Sequence, residues 1–426
     1  MKNLLLPILL LFSVSLLAKT AREEIYENLK LSGNQYLEYP VPEGVKYTKA
    51  PKGYKPFYLS AYIRHGSRYL IGAKDYTEPQ ALLSTADSLG LLTEQGRYAK
   101  MVVDSVARLA ADRYGELTQK GYMQHRGIAT RMYNNFPEIF KGKGKRVDAR
   151  STIVIRCILS MMSECNTLMS LNPDLDFFID ASNADMYYMN NGKSKYHKLY
   201  GNEPETKQAK ADFSKKNTDS GRFTAALFTS YAPLESQLDS TKMFSRLMEI
   251  AQSMQGLDTE LELFSIFTPE ECYKYWAKST FNWYTGHGFC PLSKNMKPYA
   301  QINLLKNIIS SADEVIETDG TEAHLRFGHD GILLPLAALM NLDSVNYSTA
   351  DPEELIEHWR PYNYFPMACN IQLIFFKSKK AGEPVLVKIM LNERECHLPL
   401  QAINDVFYKW DDIKQLYFSI INNFSE

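Results

Sequence analysis

The sequence predicts an α/β fold in which a strand-containing domain is interrupted by a mostly helical insertion. Short apolar runs at residues 57–63 and 323–327 have the length of buried strands, and helical patterns follow them. Between residues 183 and 300 the chain is rich in Tyr, Lys, Asn and Met and lacks strand alternation. Hydrophobic residues form 45% of the 426 residues and charged residues 23%, which excludes a disordered or fibrous protein.

The first 18 residues predict a cleaved secretory signal peptide. A short positive start precedes the apolar run 4–18, which is too short for a comfortable membrane span. An uncleaved N-terminal anchor helix is the alternative. No later stretch is apolar enough to cross a bilayer, so we expect an exported protein, periplasmic or secreted, without a membrane span after cleavage. Loss of Lys2 would change the formal net charge from -1 to -2.

The remaining elements of the α/β domain are assigned to residues 22–182 and 301–426. Residues 80–111 show a helical pattern. Thr118 is a credible N-cap of a second helix, which Pro137 ends. Two strands are predicted, at 147–150 and 176–179. Ser151 or Thr152 could cap the helix between these two strands.

The helical insertion, 183–300, contains a long helical stretch at 231–254. After it we expect a helix within 331–340, a hairpin of 371–376 and 385–391, and helices through 407–421. Ligands of such sheets bind where strands end and the chain turns toward a helix.

The six cysteines of an exported chain permit up to three disulfides. The predicted hairpin would place Cys369 nearly opposite Cys396, and Cys272 with Cys290 is a second candidate pair. The other two lie along one predicted helix and are expected to be buried thiols: Cys157 and Cys165. The sequence contains neither CxxC nor HExxH, so we predict no zinc site.

Lys and Arg (48) nearly cancel Asp and Glu (49), so no global basic field favours a nucleic-acid partner, and any anion affinity must be local. Arg64-His65-Gly66-Ser67-Arg68 follows the first strand. Two arginines can donate forked hydrogen bonds to a phosphate, Gly66 permits close backbone approach, and His65 can act as acid, base or nucleophile. A surface loop with a hydrogen-bonded His is the alternative.

A second cluster, Phe327-Gly328-His329-Asp330-Gly331, lies between a predicted strand and a helix. Asp330 could be an ordinary helix cap, but Pro335 would then fall beyond the first turn, so we expect the helix to start later or to bend. Arg156 stands in an otherwise apolar helix, where a snorkelling surface residue is the alternative interpretation.

Together these clusters resemble the histidine acid phosphatase family, branch 2 of the histidine phosphatase superfamily. Its opening signature, Arg-His-Gly-x-Arg-x-Pro, matches from Arg64 to Arg68, with Leu70 in place of Pro. The segment Leu117 to Arg131 resembles the family's Leu-Thr-x-x-Gly helix. Further matching positions are Ser151, Thr152, Arg156, Cys157, Ser160, His329 and Asp330.

Within the family the chain is most similar to multiple inositol polyphosphate phosphatases and phytases, through Gln124-His125-Arg126, Arg156-Cys157 and residues 390–393. That branch usually carries His-Ala-Glu where this chain has His329-Asp330-Gly331. The likeness therefore implies Asp330 as the proton donor and does not transfer positional specificity.

The resemblance implies a phosphoglycerate-mutase-like sheet domain with a helical cap, and hydrolysis of phosphate monoesters, such as phytate, through a phosphohistidine intermediate. It implies His65 as nucleophile, with Arg64, Arg68, Arg156 and His329 around the phosphate, and no metal or cofactor. The alternatives are a broad-specificity or sugar-phosphate phosphatase and a non-catalytic phosphate-ligand binding protein. Four lysines are candidates for distal phosphates, against a solvated surface as the simpler interpretation: Lys74, Lys193, Lys195 and Lys198.

Overall fold

The computed structural model describes residues 19–42, 44–190, 200–422 and 424. The predicted signal segment 1–18 and three of the candidate lysines, Lys193, Lys195 and Lys198, lie outside these ranges. Lys74 lies within them and is exposed. None of the helices in these ranges combines the length and the apolar character that a membrane span requires.

The described residues form one sheet and the helices around it. The strands are β1 (Tyr54–Arg64), β2 (Arg146–Ser151), β3 (Asp176–Asp180), β4 (Ala323–Gly328), β5 (Asn370–Ser378), β6 (Leu386–Leu391), β7 (Arg394–Glu395) and β8 (Tyr408–Lys409). The helices are α1 (Ala21–Glu27), α2 (Ala73–Ser88), α3 (Glu94–Ala110), α4 (Gln119–Asn135), α5 (Pro137–Phe140), α6 (Ile155–Leu171), α7 (Met186–Met189), α8 (Pro204–Lys216), α9 (Gly221–Leu227), α10 (Ser240–Ser253), α11 (Pro269–His287), α12 (Ile302–Thr318), α13 (Asp330–Leu339), α14 (Pro352–His358), α15 (Pro361–Tyr364) and α16 (Trp410–Asn422).

The sheet has the strand order β3-β2-β4-β1-β5-β6-β7, and β8 also pairs with β6. The strands β3, β2, β4 and β1 are parallel, whereas β5 runs antiparallel to β1. Arg64 pairs with Gly328 and Ser151 with Phe327, so the carboxyl ends of β1, β4 and β2 lie side by side. Ligands of open α/β sheets bind at this edge. The predicted α/β class is confirmed.

Both faces of the sheet are covered, which explains why residues 57–63 of β1 are mostly apolar, with Ser60 among them. Successive side chains of a strand point to opposite faces. Tyr58 and Tyr62 accordingly lie in one hydrophobic core, and Leu59, Ala61 and Ile63 lie in the other. The second core is closed by α4, α5 and α6. The first core is covered by α12, α13 and helices of the connection between β3 and β4.

The long connection from β3 to β4 contains helices and no strand among its described residues. Two of these helices return to the N-terminal part of the chain: α10 packs against α2, and α11 packs against α1 and a 3-10 helix, Leu29–Tyr36. The N-terminal segment thus contacts the inserted helices and, through the Gln35 carbonyl, Arg64 at the end of β1. The exact boundaries 183 and 300 remain a prediction.

Three elements differ from the sequence-based expectation. The helical pattern 80–111 is two helices, because Gly90 takes a left-handed φ of +67° and Thr93 caps α3 by accepting a hydrogen bond from the Gly96 amide. Ser151 and Thr152 do not cap α6: Ser151 completes β2, and α6 begins after Val154. Finally, α13 begins at Asp330 with Pro335 inside it, so the helix does not start later as Pro335 suggested.

The predicted disulfide pairs are wrong: all six cysteines are free and buried. In the hairpin register, Ile371 lies opposite Leu391, but β7 then folds back on β6 and the Cys396 amide donates to the carbonyl of Ile389. Cys396 is thereby carried away from Cys369. Cys272 lies in the first turn of α11 and Cys290 lies beyond its C-terminal end, so the helix from Cys272 to His287 separates them by about 22 Å.

Candidate active site

The six predicted site residues meet where the parallel strands end. Arg64 is the last residue of β1 and His65 follows it, whereas His329 follows β4 and Asp330 begins α13. Arg156 is the second residue of α6, and Arg68 lies in the loop after β1. The rings of His65 and His329 lie with their centroids 5.8 Å apart. The fold therefore joins segments that lie up to 266 positions apart in the sequence.

His65 is 2% exposed and its orientation is fixed by backbone contacts. Its amide donates to the carbonyl of Gly328 (2.9 Å), and its ring Nδ1 lies 2.9 Å from the carbonyl of Gly66. Because a carbonyl oxygen only accepts hydrogen bonds, Nδ1 carries the proton and Nε2 keeps its lone pair. Burial, followed by the charges of Arg64, Arg156 and Arg68, holds the pKa of His65 well below its ordinary value. The ring is therefore neutral, and its Nε2 lone pair is available.

Arg64 is fully buried, and three distant segments hold its guanidinium. Its Nη1 donates to the carbonyls of Gln35 (2.8 Å) and Phe365 (2.9 Å), and its Nη2 lies 2.5 Å from an Asp330 oxygen. Its buried Nε has no hydrogen-bond partner. An unpartnered buried donor has a desolvation cost that an arriving anion would remove.

The two other arginines share this property. Arg68 is 7% exposed, donates from Nη1 to the Tyr69 carbonyl, and lies 5.6 Å from the centroid of the Tyr36 ring. Arg156 lies in the first turn of α6, where the helix dipole also favours an anion. The Nε atoms of both arginines are buried without a partner. The site thus presents three guanidinium groups with unused donors, a set suited to phosphate oxygens.

His329 completes this ring of donors. Its amide donates to the Tyr62 hydroxyl (3.2 Å), and its Nε2 lies 3.3 Å from the Thr152 hydroxyl. Burial and then Arg156 lower its pKa to about 4, despite the nearby Asp330 carboxylate. Burial also raises the pKa of Cys157 to about 11, so this thiol beside His329 stays protonated and donates to the Gly328 carbonyl.

Asp330 is tied to the arginines in the free protein. One carboxylate oxygen pairs with Arg64 and the other accepts the Gly331 amide at 2.8 Å. Burial raises the pKa of Asp330, but Arg64 and Arg68 outweigh burial and hold it below its ordinary value. Asp330 is therefore ionised while the site is empty of substrate. The N-cap of α13 is His329, so Asp330 is not the ordinary cap that the sequence left open.

Gly66 allows the loop after β1 to approach α4. A Cβ atom at Gly66 would lie 2.5 Å from the carbonyl oxygen of Gly121, closer than real Cβ contacts. The Gly66 amide also donates to the Ser160 hydroxyl, which ties the loop to α6. The position of His65 thus depends on the absence of a side chain next to it.

Replacing Gly66 by Ala is expected to lower kcat/KM for p-nitrophenyl phosphate by about 100-fold, because the loop must move and carry His65 with it. Gly286→Ala in α11 is the matched control, since its Cβ would meet no atom within 4 Å. Steady-state kinetics of both variants, with circular dichroism to monitor folding, test this. Full activity in Gly66→Ala would contradict the close packing.

Several supporting residues were missed in the sequence. Tyr62 binds the His329 amide, Gln124 accepts from the Ser67 amide, and Tyr36 faces Arg68. Tyr62 was open to prediction, because its position two residues before Arg64 places it at the strand end. Tyr36 was not, since its segment carries no recognisable motif. Among the described residues no group of His, Cys, Asp and Glu is arranged to hold a metal ion.

Comparisons with solved structures concern the fold. The structure is similar to that of the multiple inositol polyphosphate phosphatase of Bifidobacterium longum in complex with phosphate, with a TM-score of 0.79 and 18% identity over 92% of this chain and 98% of that chain. The same protein in complex with inositol hexasulfate gives a TM-score of 0.76, over 90% and 96% of the two chains and again at 18% identity. The phytase from D. castellii gives 0.67 at 13% identity, over 92% and 86%. At these identities the likeness shows the fold.

The family itself follows from the sequence model of the histidine phosphatase superfamily (branch 2), which matches residues 59–392. No curated protein matches the chain. The match spans well over half of the sequence and includes all six site residues. The chain belongs to branch 2 of the histidine phosphatase superfamily.

Proposed function

We propose that this protein hydrolyses phosphate monoesters through a phosphohistidine formed on His65. Membership of the superfamily supports a phosphatase. The observation that carries the mechanism is the orientation of His65, whose Nδ1 is engaged by the Gly66 carbonyl while Nε2 remains free among three arginines. A neutral imidazole in a cationic pocket is a nucleophile placed where a phosphate is bound.

In the first step the Nε2 lone pair of His65 forms a bond to phosphorus, and the bond from phosphorus to the leaving alkoxide breaks. Arg64, Arg68 and Arg156 donate to the non-bridging oxygens and balance the charge of the transition state, and the neutral His329 ring donates one further hydrogen bond. Water then attacks phosphorus and gives a proton to the Asp330 carboxylate, the bond from phosphorus to Nε2 breaks, and inorganic phosphate leaves neutral His65 behind. The unused Nε donors of the three arginines support this arrangement.

Asp330 is the proposed proton donor to the leaving oxygen. In the free protein it is ionised because Arg64 binds it. A bound phosphate dianion competes for Arg64 and places negative charge near the carboxylate, and both effects raise the pKa of Asp330. Asp330 would thus take up its proton as the substrate binds and then give it to the alkoxide.

We propose inositol polyphosphates such as phytate as the substrates, and an exported, periplasmic or secreted, protein. The sequence likeness and the similarity in fold to inositol polyphosphate phosphatases and phytases support the substrate class, and the predicted signal segment supports export. Phosphate release from phytate, glycerol 2-phosphate and a sugar phosphate, measured in chelator at acid pH, tests this. Release from simple esters alone would favour a broad-specificity phosphatase.

The ring of His329 is expected to titrate near pH 4, and that of His65 also below the ordinary value of about 6.5. A lowered histidine pKa means that the neutral ring persists as the pH falls, so the nucleophile remains available in mild acid. NMR spectra of protein labelled only at histidine would measure both titrations, with His65→Gln and His329→Gln assigning the signals. Titration of either ring near pH 6.5 would contradict the proposed environment.

A further inference from the structure

A small cavity of ≈ 190 Å³ lies beside the phosphate site. Gln35 and Tyr36 form one of its walls. The same two residues contact the site, because the Gln35 carbonyl accepts from Arg64 and the Tyr36 ring faces Arg68. Gln35 and Tyr36 therefore lie at a boundary that the cavity shares with the phosphate site.

The opposite wall is formed by two inserted helices. Helix α10 contributes Glu249, and α11 contributes Tyr275, Lys278 and Trp283. The ring of Trp283 also packs on Phe365, whose carbonyl is the second acceptor for Arg64. The far wall of the cavity is therefore also anchored to the phosphate site.

Lys278 is the cation of this cavity. Its ammonium lies 4.7 Å from the centroid of the Tyr275 ring, and no ion pair joins it to a carboxylate of the described ranges. Burial lowers its pKa, and the charge of Glu249 only partly offsets this. A partly buried ammonium without a carboxylate partner is stabilised by any anion that reaches it.

Glu249 interacts with groups other than Lys278. Its carboxylate accepts a hydrogen bond from the Tyr275 hydroxyl (3.3 Å) and lies 3.8 Å from Arg246, which also pairs with Asp75 and Glu78. Burial raises the pKa of Glu249, despite Arg246. The Glu249 carboxylate thus faces Tyr275 and Arg246, and it is easier to protonate than the carboxylate of an exposed Glu.

We infer that this cavity is a subsite for a second phosphate group of the substrate, with Lys278 as its cation. Its volume is below the roughly 300 Å³ of sites that enclose a whole small ligand, so it suits a substituent of a molecule held at the main site. This inference rests on the proposed function and specifies it, since a substrate with one phosphate has no group to place there.

The test compares two unreactive probes by calorimetry. Inositol hexakissulfate carries several anionic groups and can reach both sites at once, whereas inorganic phosphate has a single group, for which the main site with its three arginines is the stronger site. We expect Lys278→Met to weaken hexakissulfate binding by about 10-fold or more, as for the loss of one charge-assisted contact, with phosphate affinity within about twofold of wild type. Lys274→Met is the control, because Lys274 lies one turn earlier on α11 and pairs with Glu270.

A second variant is expected to change hexakissulfate affinity in the opposite direction. Glu249→Gln removes the only carboxylate that lines the cavity among the described residues and keeps its shape, so hexakissulfate affinity should rise by about threefold or more while phosphate affinity stays constant. Distortion of the fold would not produce opposite changes in two variants. Equal losses for both probes in Lys278→Met, or no loss for either, would overturn the inference.

Turnover separates this inference from the proposed function. If wild type releases phosphate from phytate, Lys278→Met should raise KM for phytate and leave kcat/KM for glycerol 2-phosphate within about twofold. If the wild type releases phosphate from no ester, the proposed function fails, and the binding series alone still supports or overturns the subsite.

Discussion

Replacing His65 by Ala is expected to lower the rate of phosphate release by about 10⁵-fold, because the variant has no atom that can form the covalent intermediate. Binding of inorganic phosphate should persist, since the three arginines and His329 remain. Steady-state release from p-nitrophenyl phosphate measures the first quantity, and isothermal calorimetry with phosphate measures the second.

The intermediate provides an independent check of this variant. Rapid quenching of wild type with ³²P-labelled substrate into alkali should trap a phosphoprotein, because phosphohistidine survives base. His65→Ala should trap none. Substantial turnover in His65→Ala would exclude the mechanism, and a wild type that binds phosphate but never turns over would identify the non-catalytic alternative.

Replacing Asp330 by Asn is expected to lower kcat for glycerol 2-phosphate by about 10³-fold, since the alkoxide then leaves without a proton. The effect on p-nitrophenyl phosphate should be much smaller, because nitrophenolate is a stable leaving group. The ratio of the two losses therefore measures proton donation separately from the ion pair that Asp330 makes with Arg64.

Two results would contradict this role. Equal losses on both substrates would mean that Asp330 only positions Arg64. No loss on either would mean that another group protonates the leaving oxygen. Asp351→Asn is the matched control, because Asp351 caps the distant helix α14 and Asn is an equally good cap.

The parts of the fold that sequence predicts well are those with a local signal. The run 57–63 marks β1 because both of its faces are buried, and Thr118 marks the start of α4 because its side chain accepts the Gly121 amide. The division between α2 and α3 carried a comparable signal in Gly90 and Thr93, which the continuous apolar pattern around it obscured.

The cysteine error shows where local reasoning stops. Distance along a hairpin predicts which residues face each other only while the strands continue, and here β7 turns back on β6 before Cys396. The candidate site was accessible for a different reason. His65 and His329 each lie next to the end of a predicted strand, and parallel strands end at one edge of a sheet.

The contacts that surround this site could not be predicted from the sequence in the same way. Any residue type can supply the backbone carbonyls that Gln35 and Phe365 provide, so the sequence does not mark them. Tyr36 and Lys278 lie near the site only because the inserted helices pack there. Their roles follow from tertiary structure alone. If the proposed subsite binds a second phosphate group, substrate preference depends on the part of the molecule that the motifs describe least.

The hydrogen bonds that hold Arg64 also have a consequence for how this protein folds. A single guanidinium is held by backbone oxygens 29 and 301 positions away in the chain, so its environment exists only after both remote segments have docked. Contacts between such remote positions are associated with slower folding than local contacts, because the loop must close before the contact stabilises the chain. A chain still emerging from the ribosome, or one that lacks residue 365, would hold the whole Arg-His-Gly motif and yet have no organised anion pocket.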